Sequence, residues 1–164
     1  MFSSAGHVLT KVKRQTLAIS DVSPAVIGYY GDKVTDIALT GFQNVNERGF
    51  WSMGNGKGLR KMKSFAVNAC RGVSNVELES MGKGCQNLKQ ICLQKCSLLL
   101  DKGLASFAKI VESLESFQIE ECHRITQFGI FGILRNSRKL KALVVENSLG
   151  IRKLKALVRR GTLS

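Results

Sequence analysis

The sequence predicts an α/β solenoid, a stack of short strand–helix units whose strands lie side by side in one parallel sheet. Three observations carry that prediction. Cys70, Cys96 and Cys122 follow one another at a constant step of 26. Met62, Leu88, Leu114 and Leu140 keep the same step. Within each copy, apolar residues first recur at every second position and then at helical intervals. A fixed period of this length belongs to an array in which each unit buries its apolar face on its neighbours. The expected fold is a leucine-rich repeat solenoid of about five strand–helix repeats, their step 26 to 28, with a curved parallel sheet on the concave face and helices outside.

Residues 1–16 read as an irregular basic start, and a first repeat begins midway at Leu17, leaving no N-terminal cap. The next copy runs from Val34 through Ile37 and Leu39 to Phe42. Its step to Met62 is 28 rather than 26, so the insertion is placed in a Gly54–Gly58 loop. Copies at Met62–Cys70, Leu88–Cys96 and Leu114–Cys122 align without gaps, and Leu140–Ser148 is a fading fourth. In the apolar-x-apolar core of each copy, alternate residues point inward and the middle one outward, the period of a strand. Helical spacing follows: Leu99, Leu104 and Phe107 match Ile125, Ile130 and Ile133 at the same step. Gly84, Gly103 and Gly129 fall near turns and helix ends, where a missing Cβ helps. The pattern L-x-x-L-x-L-x-x-C is the signature of a leucine-rich repeat. On this reading the array spans residues 17–151 and a basic tail spans 152–164. The tail is read from a break in period. Arg138–Val144 recurs unchanged as Arg152–Val158, an offset of 14. A capping amphipathic helix is the alternative.

The 164 residues suffice for one domain with a buried core. No apolar run reaches the roughly 18 residues that span a bilayer, and no charged segment leads into a signal-peptide core. A nuclear or cytoplasmic chain with five free thiols is expected. The net charge of +13 is unevenly spread. Residues 17–137 hold 14 Lys/Arg against 11 Asp/Glu, residues 138–164 hold eight against Glu146 alone, and Lys11, Lys13 and Arg14 precede them. A balanced body with basic ends is not the uniformly basic groove of a nucleic-acid clamp.

The candidate chemistry is sparse. Structural zinc takes four Cys/His ligands, commonly in paired close spacings. Periodicity accounts better for Cys70, Cys96 and Cys122, as small buried groups at the turn from strand to helix. Cys92 is the outward residue of its strand and the one cysteine expected to meet a thiol reagent. His123 follows Cys122, but neighbouring residues point apart, and no third group orients a base. Gly54-Asn55-Gly56-Lys57-Gly58 lacks the G-x-x-x-x-G-K-[ST] arrangement of a phosphate loop. No enzyme signature and no cofactor or metal site emerge. Trp51, beside Phe50, is read as packing between neighbouring helices. A surface remains, the outward strand positions, where Gln90, Gln94, Lys95, Gln118, Glu120, Glu121 and Glu146 are the candidate protein-binding residues. Acidic groups increase toward the C-terminal side, which would suit a basic partner segment.

The segments Gly72–Gln90 and Leu114–Gly129 resemble the cysteine-containing leucine-rich repeats of F-box proteins. More narrowly, they resemble the plant F-box proteins that bind ethylene-insensitive transcription factors. Asp36 to Trp51-Ser52-Met53-Gly54-Asn55-Gly56 is similar too, and the resemblance covers residues 8 to 152. It implies a non-catalytic array that captures a transcription factor for ubiquitin-dependent degradation in the nucleus. A Skp-type adaptor and a cullin are implied only for a longer product that carries an F-box, because no segment here aligns with one. Two alternatives stand beside this reading: a truncated remnant with no stable fold or ligase activity, and a basic nucleic-acid-associated protein.

Overall fold

A computed structural model describes residues 11–13, 34–41, 47–55, 59–70, 72–148 and 151–157. Strands and helices alternate: β1 (Lys11–Lys13), β2 (Asp36–Thr40), α1 (Glu47–Asn55), β3 (Ser64–Asn68), α2 (Asn75–Gly84), β4 (Gln90–Gln94), α3 (Asp101–Ile110), β5 (Ser116–Glu120), α4 (Gln127–Asn136), β6 (Ala142–Ser148) and β7 (Ile151–Leu157). The seven strands among the described residues form one sheet in sequence order. Strands β1 to β6 run parallel and β7 is antiparallel to β6.

The sequence period reappears as sheet register. Ser64 pairs with Gln90, Gln90 with Ser116 and Ser116 with Ala142, the step of the cysteines at every strand. Asp36 pairs with Ser64, which is the longer repeat. Strand positions alternate buried and half-buried. Ile37, Phe65, Ile91, Phe117 and Leu143 form one buried row, and Leu39, Val67, Leu93, Ile119 and Val145 the next. The four residues Met62, Leu88, Leu114 and Leu140 are at most 2% exposed, as are the helix residues Leu104, Phe107 and Ile133.

Repeats are also tied by side chains at recurring positions. Asn75, first in α2, accepts at Oδ1 from the Leu100 N–H at 2.9 Å. Asp101, first in α3, accepts from the Thr126 N–H at 2.6 Å and from its hydroxyl at 2.5 Å. α2 and α3 thereby each cap donors at the start of the next helix, where helix ends otherwise leave N–H groups orphaned. Ser74 and Glu77 form a capping box on α2.

Four expectations change. Residues 1–16 are not irregular throughout, because Lys11–Lys13 pairs with β2 with Lys11 opposite Asp36. The boundary at residue 152 falls inside β7, so Ile151–Leu157 is a strand rather than a trailing segment. Gly54 and Asn55 end a helix, and Gly56–Gly58 lie outside the described residues, as do Leu17 and Phe42. Trp51 is 50% exposed while Phe50 is fully buried, so the helix interface takes Phe50 and leaves the indole outside.

The glycines help by close approach rather than by turn geometry. Gly41 is the one described glycine with positive φ, at 71°. A Cβ on Gly54 would lie 2.6 Å from the Met81 nitrogen, and one on Gly84 would overlap the Gly54 carbonyl. On Gly129 it would lie 2.5 Å from the Asp101 carboxylate. These positions let adjacent helices, and the cap ladder between them, come into contact.

Candidate functional site

The face of β2–β6 that bears the buried rows lies against the helices, and the other face presents the half-buried positions. Register sets these in rows across the sheet. One row reads Thr40, Asn68, Gln94, Glu120, Glu146; another reads Ala38, Ala66, Cys92, Gln118, Val144. Neighbouring strands lie about 4.8 Å apart, so Glu120 and Glu146 sit side by side with Gln94 next in line. Like charges in adjacent positions disfavour each other, and a cation laid along this row would relieve them. Gln118 lies between Cys92 and Val144, and Gln90, exposed, begins β4.

Lys95 and Glu121 occupy a different station. Each follows its strand, and their φ angles are 54° and 51°. Ala69 (54°) and Asn147 (48°) hold the same place in their repeats, and Gly41 heads the column. The left-handed residue carries the ladder one bond beyond the strand. Ala69, Lys95 and Glu121 N–H groups donate to the carbonyls of Gln94, Glu120 and Glu146 at 3.0, 2.9 and 3.0 Å. The turn brings the Lys95 ammonium within 3.7 Å of the Glu121 carboxylate. The seven sequence candidates therefore fall into two sets, Gln90, Gln94, Gln118, Glu120 and Glu146 on the sheet and the Lys95–Glu121 pair on its margin.

Immediately after the left-handed residue comes the cysteine column. Cys70, Cys96 and Cys122 are 0–2% exposed. Each thiol donates to the carbonyl two residues back: Cys70 to Asn68 at 3.4 Å, Cys96 to Gln94 at 3.5 Å, Cys122 to Glu120 at 3.4 Å. Ser148 continues the column, its hydroxyl donating to the Glu146 carbonyl at 3.1 Å and accepting from the Cys122 N–H at 3.1 Å. The column fills space and satisfies the turn, and it lies beneath the open face. Burial pushes the Cys85 thiol up to about 12. Contact with Cys122, and then burial, push Cys96 well above the usual thiol range. Cys92 is half-buried on the open face, and burial first, then Glu120, raise its thiol. Its expected readiness to react is correspondingly reduced.

The edges of the face were missed in the sequence. β7 places Lys153 at the register position opposite Glu146 and Lys155 opposite Val144. The acidic row thus does not run out to the C-terminal margin but ends against a strand of basic composition. Among the described residues no three His, Cys, Asp or Glu side chains converge as a metal ion would require. No described helix is long and apolar enough to cross a membrane. No protein-family model matches the chain.

Proposed function

We propose that this chain is a non-catalytic leucine-rich repeat array that captures a protein along the open face of its sheet. The resemblance to F-box proteins makes that partner a transcription factor of the ethylene-insensitive class, held for ubiquitin-dependent degradation in the nucleus. Recruitment through a Skp-type adaptor and a cullin belongs to a product that also carries an F-box. The observation that carries the reading is the register of β2–β6. It aligns Asn68, Gln94, Glu120 and Glu146 in one continuous row of amides and carboxylates on the face away from the helices, with Gln118 in the row beside it. Such a row offers several weak, spatially ordered contacts, which suits recognition of an extended surface more than turnover of a small substrate.

The test is titration of the purified chain with the transcription factor at low and high salt. Saturable binding that survives high salt, and falls at least about tenfold in Gln118→Lys/Glu120→Lys, supports capture on this face; loss of one buried hot spot has that scale. Absence of binding at either salt, or binding indifferent to the substitutions, refutes it.

A further inference from the structure

The parallel topology gathers every helix-to-strand connection at one rim of the sheet, and that rim is basic. The connections 59–63, 85–89, 111–115 and 137–141, with the last turns of α2–α4, hold ten Lys/Arg against Glu112 and Glu115. The opposite rim is balanced by the same count, with Glu47, Glu77, Asp101 and Glu121 against Arg48, Lys95, Lys102 and Arg124 among the described residues. Two polar clefts open on the basic rim. One, of 360 Å³, is lined by Arg60, Lys83, Gly84, Gln86 and Asn87. The other, of 400 Å³, is lined by Lys109, Glu112, Arg135, Asn136, Arg138 and Lys139.

The positive charge exceeds what the fold requires. One basic residue per helix end complements the macrodipole, which accounts for Lys83, Lys109 and Arg135. Lys83 is further held by Glu79 at 2.9 Å, and Lys89 and Lys141 share Glu115. Arg60, Lys61, Arg138 and Lys139 lie beyond the helices, and all four are exposed. Like charges kept together on one margin repel one another, and an anionic partner offsets that cost.

We infer that this rim binds the phosphodiester backbone of a nucleic-acid duplex, independently of protein capture on the open face. A duplex fits better than a single strand because single-strand binders stack bases on aromatic side chains. The exposed aromatics among the described residues, Trp51, Phe128 and Phe131, all lie on helices, outside the lining of either cleft. Contacts are to phosphate and carry no sequence preference.

The experiment is anisotropy of a labelled random-sequence duplex against the full chain over a salt series. The rim variant is Lys109→Gln/Arg135→Gln/Arg138→Gln/Lys139→Gln, whose four sites are all exposed, with circular dichroism to verify the fold. Binding falls steeply with salt, and the variant reduces the log–log slope by about 2 to 4, near 0.9 per lost phosphate contact. Arg60→Gln/Lys61→Gln, with Arg60 in the lining of the other cleft and Lys61 next to it in sequence, removes a smaller increment. A control neutralising Arg152, Lys153 and Lys155 keeps most of the slope. An unchanged slope in the rim variant, loss confined to the β7 control, or equal binding of poly-glutamate overturns the inference.

Discussion

Replacing Ala by Gly at two positions of β3 and its turn should shift stability in opposite directions. Ala69 has φ 54°, whereas Ala66 lies within strand β3. A non-glycine residue in the left-handed region costs about 1–2 kcal/mol. Glycine removes that cost but adds roughly 0.5–1 kcal/mol of unfolded-state entropy. Ala69→Gly therefore stabilises by about 0.5–1 kcal/mol. Gly41, in the same column, already takes a φ of 71°. At Ala66 there is no strain to relieve, so only the entropy and the lost methyl contacts remain, and Ala66→Gly destabilises by about 0.5–1.5 kcal/mol. Between the variants the midpoint of thermal unfolding should differ by about 3–8 °C for a chain of this size. Urea denaturation with equal m-values, and thermal scans on the same preparations, measure both. Two destabilised variants would refute the assignment of left-handed strain to this column. Ala69→Val, which puts a branched side chain at the strained position, should lose about 1–3 kcal/mol.

Gly84→Ala should cost about 2–3 kcal/mol in urea denaturation, because the added Cβ meets the Gly54 carbonyl, which has no rotamer to escape through. Gly82→Ala should cost less, its nearest neighbour being the Phe107 ring at 3.1 Å. With a thiol reagent at mildly alkaline pH, Cys92 should label first and slowly, the buried four labelling only on addition of urea; Glu120→Gln should speed Cys92 by removing the adjacent negative charge that raises its thiol. The Glu115 carboxyl is held below its usual range by hydrogen bonds from Lys141 and then Lys89. A lowered folded-state value means its stabilisation is present above the unfolded value and is lost as pH falls through the folded one. In an NMR titration Lys89→Gln/Lys141→Gln should move the Glu115 midpoint upward, and an unmoved midpoint would refute the pairing.

The parallel sheet was legible because a fixed step in sequence has one simple geometric meaning, the same station in the next repeat. Ile91, Phe117 and Leu143 stand in register because they are equally spaced along the chain. The cysteine column was legible as buried small residues. Its donor role was not, since the acceptor is a backbone carbonyl two residues back, although Ser148 at the fourth station was a signal that a hydroxyl suffices. The left-handed column was not read from the sequence: Gly41 and Asn147, both tolerant of that conformation, mark its ends, but Ala69, Lys95 and Glu121 between them give no such signal. β7 was hidden for a different reason. Ile151, Leu154 and Leu157 recur every third residue, a spacing nearer to a helix than to a strand. The edge of β6, with its unpaired backbone groups, provides the template that local periodicity does not. β1, three residues long, offers too little pattern to detect.

Charge is the property most changed by folding. Residues 17–137 are nearly neutral in sum, and a linear count argues against a nucleic-acid surface. A parallel strand–helix array sorts its chain by station, however, sending every helix-to-strand connection to one rim and every strand-to-helix connection to the other. The basic residues of connections 59–63 and 137–141, Arg60, Lys61, Lys63, Arg138, Lys139 and Lys141, then fall on one margin and outnumber Glu112 and Glu115 there. Near-neutrality of the repeat body is therefore compatible with one basic rim and one balanced rim, and Arg138, Lys139 and Lys141 of the basic end add to the first. The consequence for the two proposed surfaces is a difference in salt dependence. Rim contacts are exposed and weaken with ionic strength, whereas contacts on a half-buried sheet face are screened less. A ternary complex assembled at low salt should shed the duplex first as salt rises and keep the protein. The reverse order would place the protein on the charged rim and remove the ground for treating the open face as the site of capture.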